Sequence, residues 1–437
     1  MNDIDYAVEE QACGVAVQRD LRWNWAAFVL EIAFFFLGIS IASPSIIMPL
    51  YVRHMTDSPL LIGLISTIAG SGWFLPQLLM ANYTTRLPRK KPIAVDFGFF
   101  AERLPFLVMA VSAFVFGARS PTLALMLFFA SLTWHTVGAG IIAVPWQDMM
   151  AKIIPVQYRG RMLGLANSAG TAAALAGTSL IASLLERYLF PTGFAICFGI
   201  AFVSILISWV FASVSREPPL HSRRAPLSNT DFWRGLPAVL HRDSNFRNYL
   251  LVRMLTMLGR MGVGFLAVYA VDRWLLSDSQ AGLYATTMLI GQTAANVVFG
   301  PLADRHGHKL ILEIALVLAG LGMVTAILAP SPAWLYLVFA TIGAITASDI
   351  VSMIGIVMEF SGPEDRPTYL GLANTIPGLV AAASPMIGGW VASRTSYTTT
   401  FFAGAVCSAA ALAVMRWVVR EPRHVTSQAQ PAPDAQV

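Results

Sequence analysis

The sequence predicts an all-α membrane protein whose twelve transmembrane helices form two parallel six-helix repeats. Three observations predict this class: the composition, the number of apolar runs and an internal repeat. Of the 437 residues, 56% are hydrophobic and only 12% are charged, whereas a soluble domain carries about 25% charged residues. Because so little charge cannot coat a globular surface, lipid must be the main solvent of the chain.

Twelve apolar runs are long enough to cross a bilayer, which takes about 20 residues each. They cover residues 25–50, 60–84, 92–117, 121–149, 163–185, 191–213, 248–271, 281–302, 309–329, 333–358, 369–392 and 399–419. The longest connection, rich in Pro, Ser and Arg, separates the sixth run from the seventh. The sequence therefore predicts a tail over 1–24, a first half over 25–213, a linker over 214–247, a second half over 248–419 and a tail over 420–437.

The basic residues predict the orientation of these spans. Most of the 29 Lys and Arg residues lie in the tails and the even-numbered connections, and only five lie on the opposite side: Arg53, Arg119, Arg187, Arg273 and Arg394. Because cytoplasmic loops carry the excess of Lys and Arg, both termini are expected in the cytoplasm, in a multi-pass protein of the cell membrane. The acidic, polar N-terminus does not fit a cleavable signal peptide.

The two halves repeat each other in the same order. The letters LGLAN follow an arginine segment twice, at Leu163–Asn167 after Arg159 and at Leu370–Asn374 after Arg366. Because six spans return a chain to its starting side, the second half has the orientation of the first. Parallel repeats of this kind are typical of one large transporter group.

The loop after the eighth run reads GPLADRHGHK, from Gly300 to Lys309. This stretch resembles the motif G-x-L-a-D-r-x-G-r-k of the major facilitator superfamily (MFS). The matching positions are Gly300, Leu302, Asp304, Arg305, Gly307 and Lys309. Gly300 permits close helix approach, Asp304 can accept hydrogen bonds from a neighbouring helix end, and the two basic residues suit the anionic leaflet.

The resemblance implies an MFS fold in which this loop holds the inward side closed. The first-half copy has Ala81 and Thr85 in place of Gly300 and Asp304, which predicts a weaker latch there. Asp148, at the inner end of the fourth span, together with Arg159 and Arg366, is similarly expected to hold the intracellular side together. Trp134 occupies the place of an arginine that proton-linked drug exporters of the family carry.

Two arginines of the seventh span, Arg253 and Arg260, are seven residues apart and so share one helix face. A charge inside the membrane is costly, and its default interpretation is functional. Either the pair forms a cationic stripe that faces the central cavity and binds an anionic or polar substrate, or each arginine pairs with an acid of another span.

Glu102 and Arg103 lie in the middle of the third span. Because adjacent side chains on an α-helix point about 100° apart, we expect them to serve different neighbours. Arg103 is expected to pair with an acid of the first or fourth span, and Glu102 to carry a proton; a structural ion pair is the alternative. Glu31 in the first span is a candidate for proton coupling, with solvation at the membrane interface as the alternative.

Further polar candidates lie in the remaining spans. His135 titrates near neutral pH and suits a coupled proton, with satisfied packing as the alternative. Asp349 in the tenth span is a candidate coupling site. Three amide and aromatic side chains are candidates for the lining of a substrate cavity: Trp134, Gln292 and Asn296.

The function predicted is secondary active transport of a small organic solute by alternating access. Proton-coupled efflux of an amphiphilic compound is the first hypothesis, and uptake of a polar or anionic nutrient is the alternative. A membrane-embedded enzyme is a remote alternative, because no Cys, His and Asp grouping lies at one depth. The expected partners are a small-molecule substrate, the bilayer and protons, in a monomer without nucleic acid, metal or cofactor.

Overall fold

The computed structural model describes residues 3–44, 47–56, 59–222, 228–275 and 278–422, and all regular secondary structure within these ranges is helical. In the first half the α-helices are α1 Asp3–Ile41, α2 Ile47–Arg53, α3 Pro59–Thr85, α4 Leu104–Phe116, α5 Pro121–Ile153, α6 Val156–Arg187 and α7 Thr192–Ser213. In the rest they are α8 Asn229–Arg242, α9 Ser244–Gly259, α10 Leu266–Trp274, α11 Asp278–His306, α12 His308–Leu328, α13 Ala333–Ser348, α14 Ile354–Phe360, α15 Arg366–Arg394 and α16 Tyr397–Trp417.

Four shorter segments interrupt the α-helical geometry. Three are π-helical, over Pro92–Phe97, Phe99–Arg103 and Asp349–Met353, and one is a 3-10 helix over Arg260–Phe265. Pro92–Phe97 leads through Gly98 into the second π-helical segment, and the other three segments continue directly into an α-helix, so the spans are unbroken but locally rewound. The wider and narrower turns change the direction in which side chains leave the helix.

Eight helical stretches in the described ranges are long and apolar enough to cross a membrane. They are Tyr6–Ile41, Pro92–Phe116, Pro121–Ile153, Thr192–Ser213, His308–Leu328, Ala333–Phe360, Arg366–Arg394 and Tyr397–Trp417. The other four predicted spans also fall on helices, namely α3, α6, α9 with α10, and α11. The membrane class is therefore confirmed, and the count of twelve stays a prediction.

The predicted N-terminal tail is helical from Asp3 onward and continuous with the first span. α1 has 39 residues, which corresponds to about 58 Å of helix, whereas the hydrocarbon core is about 30 Å thick. Its first turns therefore extend beyond the hydrocarbon. The predicted linker likewise contains a helix, α8, whose N-cap Ser228 accepts a hydrogen bond from the Asp231 N–H.

The chain divides into two compact units. The first comprises Met1–Pro155 and Leu165–Ala225, and the second Val156–Gly164 and Pro226–Val437. The first nine residues of α6 thus group with the second unit.

Each unit packs its own helices in the same pattern. In the first unit α3 packs on α5, while α1 and α4 both pack on α7. In the second unit α11 packs on α13, while α9 and α12 both pack on α16. The second span of each half thus contacts the fourth, and the first and third contact the sixth, as an internal repeat requires.

Glycine permits the closest of these contacts. A Cβ on Gly72 of α3 would collide with the side chain of Thr136 on α5. In the second unit, a Cβ on Gly343 of α13 would collide with the Met288 carbonyl of α11. Backbones that approach this closely gain van der Waals contact in a medium that supplies no hydrophobic driving force between helices.

An asparagine at the start of the first span of each unit holds the chain that leaves the sixth span. The Asn24 amide donates to the Arg216 carbonyl at 2.9 Å and accepts from its N–H at 2.8 Å. Asn245 makes the same pair of bonds with Arg420, at 3.0 and 2.7 Å. The sequence carries a signal for this repeat, VSREPP at 214–219 and VVREPR at 418–423, which the sequence analysis missed.

We expect Asn24→Ala to destabilise the protein more than Asn245→Ala. Asn24 is fully buried, so its loss leaves the Arg216 backbone unsatisfied at a cost of about 1–3 kcal/mol. The Asn245 bonds are exposed, so water replaces them at a cost nearer about 0.5–1.5 kcal/mol. The free energy of unfolding of the detergent-solubilised protein measures the loss in each variant. Gln11→Ala, at an exposed position of α1, is the control, and equal losses at the two asparagines would contradict the expectation.

Candidate functional site

One aspartate binds both arginines of the seventh span. Arg253 Nη1 donates to Asp349 Oδ1 at 3.2 Å, and Arg260 Nη2 bonds to the other carboxylate oxygen, Oδ2. The Arg253 side chain is 4% exposed and that of Arg260 is 32% exposed. Pairing with an acid of another span, one of the two interpretations drawn from the sequence, is thus present in the structure. We call these three residues the Arg–Asp–Arg cluster.

The cluster lies where the helices depart from α-helical geometry. α9 ends at Gly259, and Arg260 begins the 3-10 segment. On the opposite side α13 ends at Ser348, and Asp349 begins a π-helical turn. π-helical turns are rare and occur frequently at functional sites. These breaks set where Arg260 and Asp349 point, which the spacing of residues in the sequence does not reveal.

The Arg–Asp–Arg cluster faces a cavity inside the second unit. Its walls come from α9, α12, α13 and α16 and from the 3-10 and π-helical segments that follow α9 and α13, and its volume is about 130 Å³. Most of the lining is apolar, with Leu316, Met323 and Val338 among the residues that contribute. Two guanidinium groups against one carboxylate leave one positive charge in excess. Arg253 Nε, moreover, makes no hydrogen bond within the described part of the chain.

The first unit has a different arrangement around Glu102. Arg103 Nη1 bonds directly to Glu102 Oε2, so the expectation that the two serve different neighbours is wrong. Both residues are buried and belong to the π-helical turn Phe99–Arg103, where the α-helical angle between successive side chains does not apply. Two opposite charges that are both removed from water are best neutralised by each other.

His135 lies next to this pair and is well satisfied. Its Nδ1 is 3.0 Å from the Glu102 carbonyl oxygen, and its ring packs edge-on against Phe106 at 4.6 Å between centroids. This geometry fits the packing alternative. Trp134, by contrast, is exposed and borders a shallow apolar groove with Phe97 and Phe100.

Three other candidates differ in how well their polar groups are satisfied. Glu31 is 4% exposed, and its Oε2 makes no hydrogen bond to any described residue. Asn296 on α11 is fully buried, and neither its Nδ2 nor its Oδ1 is hydrogen-bonded within the described ranges. Gln292, one turn earlier on α11, is half-buried. Unsatisfied buried polar groups are costly and call for a functional explanation.

Gly300 to His306 of the motif belong to the last turns of α11, so the predicted loop is reduced to the turn at Gly307. The motif residues make the contacts that their types suggest. Asp304 Oδ1 accepts from the Gly160 N–H at 2.8 Å, and Oδ2 accepts from the Arg161 N–H at 2.9 Å. A Cβ on Gly300 would lie 2.7 Å from the Gly160 carbonyl oxygen, so only glycine permits this crossing of α11 and α6. The gating role of these contacts remains a prediction.

The chain turns sharply at Gly307, between α11 and α12. Gly307 has φ +89°, and a Cβ there would approach the Glu421 carboxylate to 2.7 Å. Arg305 is exposed, and Lys309 Nζ lies 3.5 Å from Glu313 Oε1. Two further gating candidates are buried: Arg159 and Arg366.

Asp148 belongs to a buried charge network at the C-terminal end of α5. Its Oδ2 is 3.4 Å from Lys90 Nζ. Nearby, Glu217 accepts hydrogen bonds from the N–H groups of Lys90 and Lys91 at 2.8–3.0 Å. It also pairs with Lys152 at 3.1 Å. Glu217 follows Arg216 in the repeated Arg-Glu-Pro segment and was not among the residues predicted from the sequence.

His308 of the second unit is buried and was not among the residues predicted from the sequence. His308 Nδ1 is 3.2 Å from Ser352 Oγ, and Nε2 is 3.7 Å from Glu359 Oε1. It begins α12 directly after Gly307, and a residue at a helix end is expected to be exposed, so the sequence did not indicate its burial.

Comparisons with known proteins agree with this architecture. An uncharacterised MFS-type transporter of Methanocaldococcus jannaschii is 24% identical over 369 residues, which cover 82% of this chain and 86% of that protein. The cis,cis-muconate transport protein of Acinetobacter baylyi is 24% identical over 279 residues, 61% of this chain and 64% of that one. Matches over about a third of this chain or less include efflux proteins of two fungi.

A solved structure and a family model define the fold. A bacterial homologue of the iron transporter ferroportin, in an outward-facing state, superposes with a TM-score of 0.72 at 14% identity, over 91% of this chain and 99% of that chain. The family model described as Major Facilitator Superfamily matches residues 30–243 and 249–436. With two repeated helical units and the GPLADRHGHK loop packed as the family motif implies, the chain belongs to the Major Facilitator Superfamily.

Proposed function

We propose that this transporter carries a small organic anion with an apolar body, by alternating access. One observation carries the proposal: the Arg–Asp–Arg cluster holds an excess positive charge at a mostly apolar cavity inside the membrane region. An unbalanced charge in such a place is costly, and an anionic substrate would neutralise it.

The two arginines suit different tasks. Arg253 is enclosed and holds Asp349, whereas Arg260 is the more exposed and can offer its remaining N–H groups to a carboxylate. A guanidinium and a carboxylate about 4 Å apart attract each other by about 4 kcal/mol at the effective dielectric of a protein site. Bidentate geometry adds directionality to this attraction.

The relatives support the same chemistry without setting a direction. The Acinetobacter baylyi relative is named for cis,cis-muconate, which is an organic anion. The fungal relatives are named as efflux proteins. An anion with an apolar body satisfies both hypotheses from the sequence, amphiphile efflux and anion uptake, because the charged end would meet Arg260 and the remainder would meet apolar walls.

We expect Arg260→Gln to abolish most transport of the anionic substrate. A panel of carboxylates that includes cis,cis-muconate is screened for uptake or exchange in proteoliposomes. The rate for the anionic substrate should be at least about tenfold lower in the variant than in wild type, which corresponds to about 1.4 kcal/mol. The thermal stabilisation by the same carboxylate should disappear, and Arg260→Lys should retain part of both effects.

Arg394→Gln is the matched control, because Arg394 is an exposed arginine of the same unit. It should transport normally. The assignment would be overturned by a substrate that Arg260→Gln transports as well as wild type and that stabilises both proteins equally. A transported substrate without charge would also overturn it.

We further propose that the Asp304 contact latches the start of α6 and is released during the transport cycle. Asp304→Asn removes the charge and one acceptor oxygen, which should weaken the contact by about 1–3 kcal/mol. Hydrogen–deuterium exchange of residues 156–164 should therefore rise. Thr85→Ala, at the equivalent position of the first half, should leave the exchange of residues 156–164 unchanged. Equal exchange in wild type and Asp304→Asn would remove the basis for the latch.

We propose Glu31 as the proton-coupling group of the first unit. It is buried and has an oxygen without a described hydrogen bond, so the neutral isostere Glu31→Gln should mimic its protonated form. Substrate exchange should persist, while accumulation driven by a pH gradient should be lost. His135→Gln should keep coupling, because His135 is already hydrogen-bonded and packed. Gradient-driven accumulation in Glu31→Gln would refute this role.

A further inference from the structure

Besides the cavity, the second unit has a groove between α12 and α16. Both helices are long and apolar enough to cross a membrane. Its walls are almost wholly apolar and include Leu310, Ile314, Val317, Leu412 and Ala413. Val317 is 42% exposed, and Trp417 at one end is 81% exposed. Exposed apolar side chains on membrane-spanning helices face acyl chains, so the groove is open to lipid.

The end of the groove beside Trp417 carries a charge cluster. Glu313 lies between two cations: its Oε1 is 3.5 Å from Lys309 Nζ, and its Oε2 is 3.3 Å from Arg416 Nη1. One carboxylate against two cations leaves one positive charge in excess. The Arg416 side chain is 66% exposed, so most of its five N–H donors remain open to a ligand.

The depth of this cluster matches a lipid headgroup. Lys309 is the second residue of α12 and Arg416 the last but one of α16, on the side that the basic residues predict to be cytoplasmic. Tryptophan is enriched where the hydrocarbon meets the headgroups, and Trp417 follows Arg416 directly. From Leu310 to Leu318 the groove follows about 12 Å of helix, which leads from headgroup level into the hydrocarbon.

We propose that this groove binds one anionic phospholipid. Its phosphate lies between Arg416 and Lys309, and one acyl chain follows the seam between α12 and α16. The excess positive charge favours a lipid with net negative charge over a zwitterionic one, and basic pockets between spans on the cytoplasmic side are known to hold such headgroups. Because Lys309 closes the GPLADRHGHK loop, the bound headgroup would also hold that loop at the leaflet. The site is independent of the proposed cargo.

The experiment uses the purified full-length protein in a detergent with an uncharged headgroup. Phosphatidylglycerol and phosphatidylcholine with identical chains are titrated while Tm is followed, and native mass spectrometry counts the lipids that stay bound. We expect phosphatidylglycerol to raise Tm with one molecule retained, and phosphatidylcholine to have little effect.

Two variants and one control test the assignment to this groove. Arg416→Gln should bind phosphatidylglycerol about fivefold more weakly, since one basic contact contributes about 1 kcal/mol. Ala413→Leu should obstruct the acyl chain without changing any charge. Arg420→Gln makes the same charge change at an exposed arginine beyond the groove, and it should bind as wild type. Tm without lipid shows whether each variant folds.

Three kinds of result would each overturn the proposal, the third in either of two forms. The first is an equal shift with phosphatidylcholine. The second is an equal shift with inorganic phosphate alone, which would reveal a site for a free anion. The third is an equal loss in Arg416→Gln and Arg420→Gln, or undiminished lipid binding in both groove variants, which would reveal unspecific attraction.

Discussion

The structure depends on one constraint: the interior of a bilayer offers no water to satisfy polar groups. Every backbone N–H and C=O must be bonded within the chain, which leaves helices as the building element here. Every buried charge needs a partner for the same reason. Arg253 and Arg260 share Asp349, Arg103 holds Glu102, and Glu217 is surrounded by backbone N–H groups and Lys152. Where pairing is incomplete, as at the Arg–Asp–Arg cluster, function is the natural explanation.

The two units solve the same packing problem with different chemistry at their centres. The same helix pairs form in both, with glycine at the closest contacts and an asparagine holding the segment after the sixth span. Yet the first unit buries Glu31, Glu102 and Arg103, whereas in the second unit a buried arginine and a partly exposed one share the carboxylate of Asp349. A shared scaffold thus leaves each unit free to carry its own charge.

The sequence anticipated the parts of the site that depend on local pattern. The seven-residue spacing of Arg253 and Arg260 placed them on one face, and both do reach the same partner. The motif identified Gly300 and Asp304 as packing and hydrogen-bonding residues, and they contact Gly160 and Arg161 as their chemistry requires. Glu102 and Arg103 pair with each other against expectation, because a π-helical turn replaces the α-helical angle between successive side chains there.

By itself, the sequence determined the membrane class, the internal repeat and the family, because these follow from composition, from the length of apolar runs and from a motif of adjacent residues. Only the tertiary structure decided which charges meet. Asp349 is far from Arg253 in the chain, Arg416 is far from Glu313, and His308 gains its burial from helices elsewhere in the sequence. Such pairings depend on helix packing and on rewound turns, whose geometry no periodicity in the chain encodes.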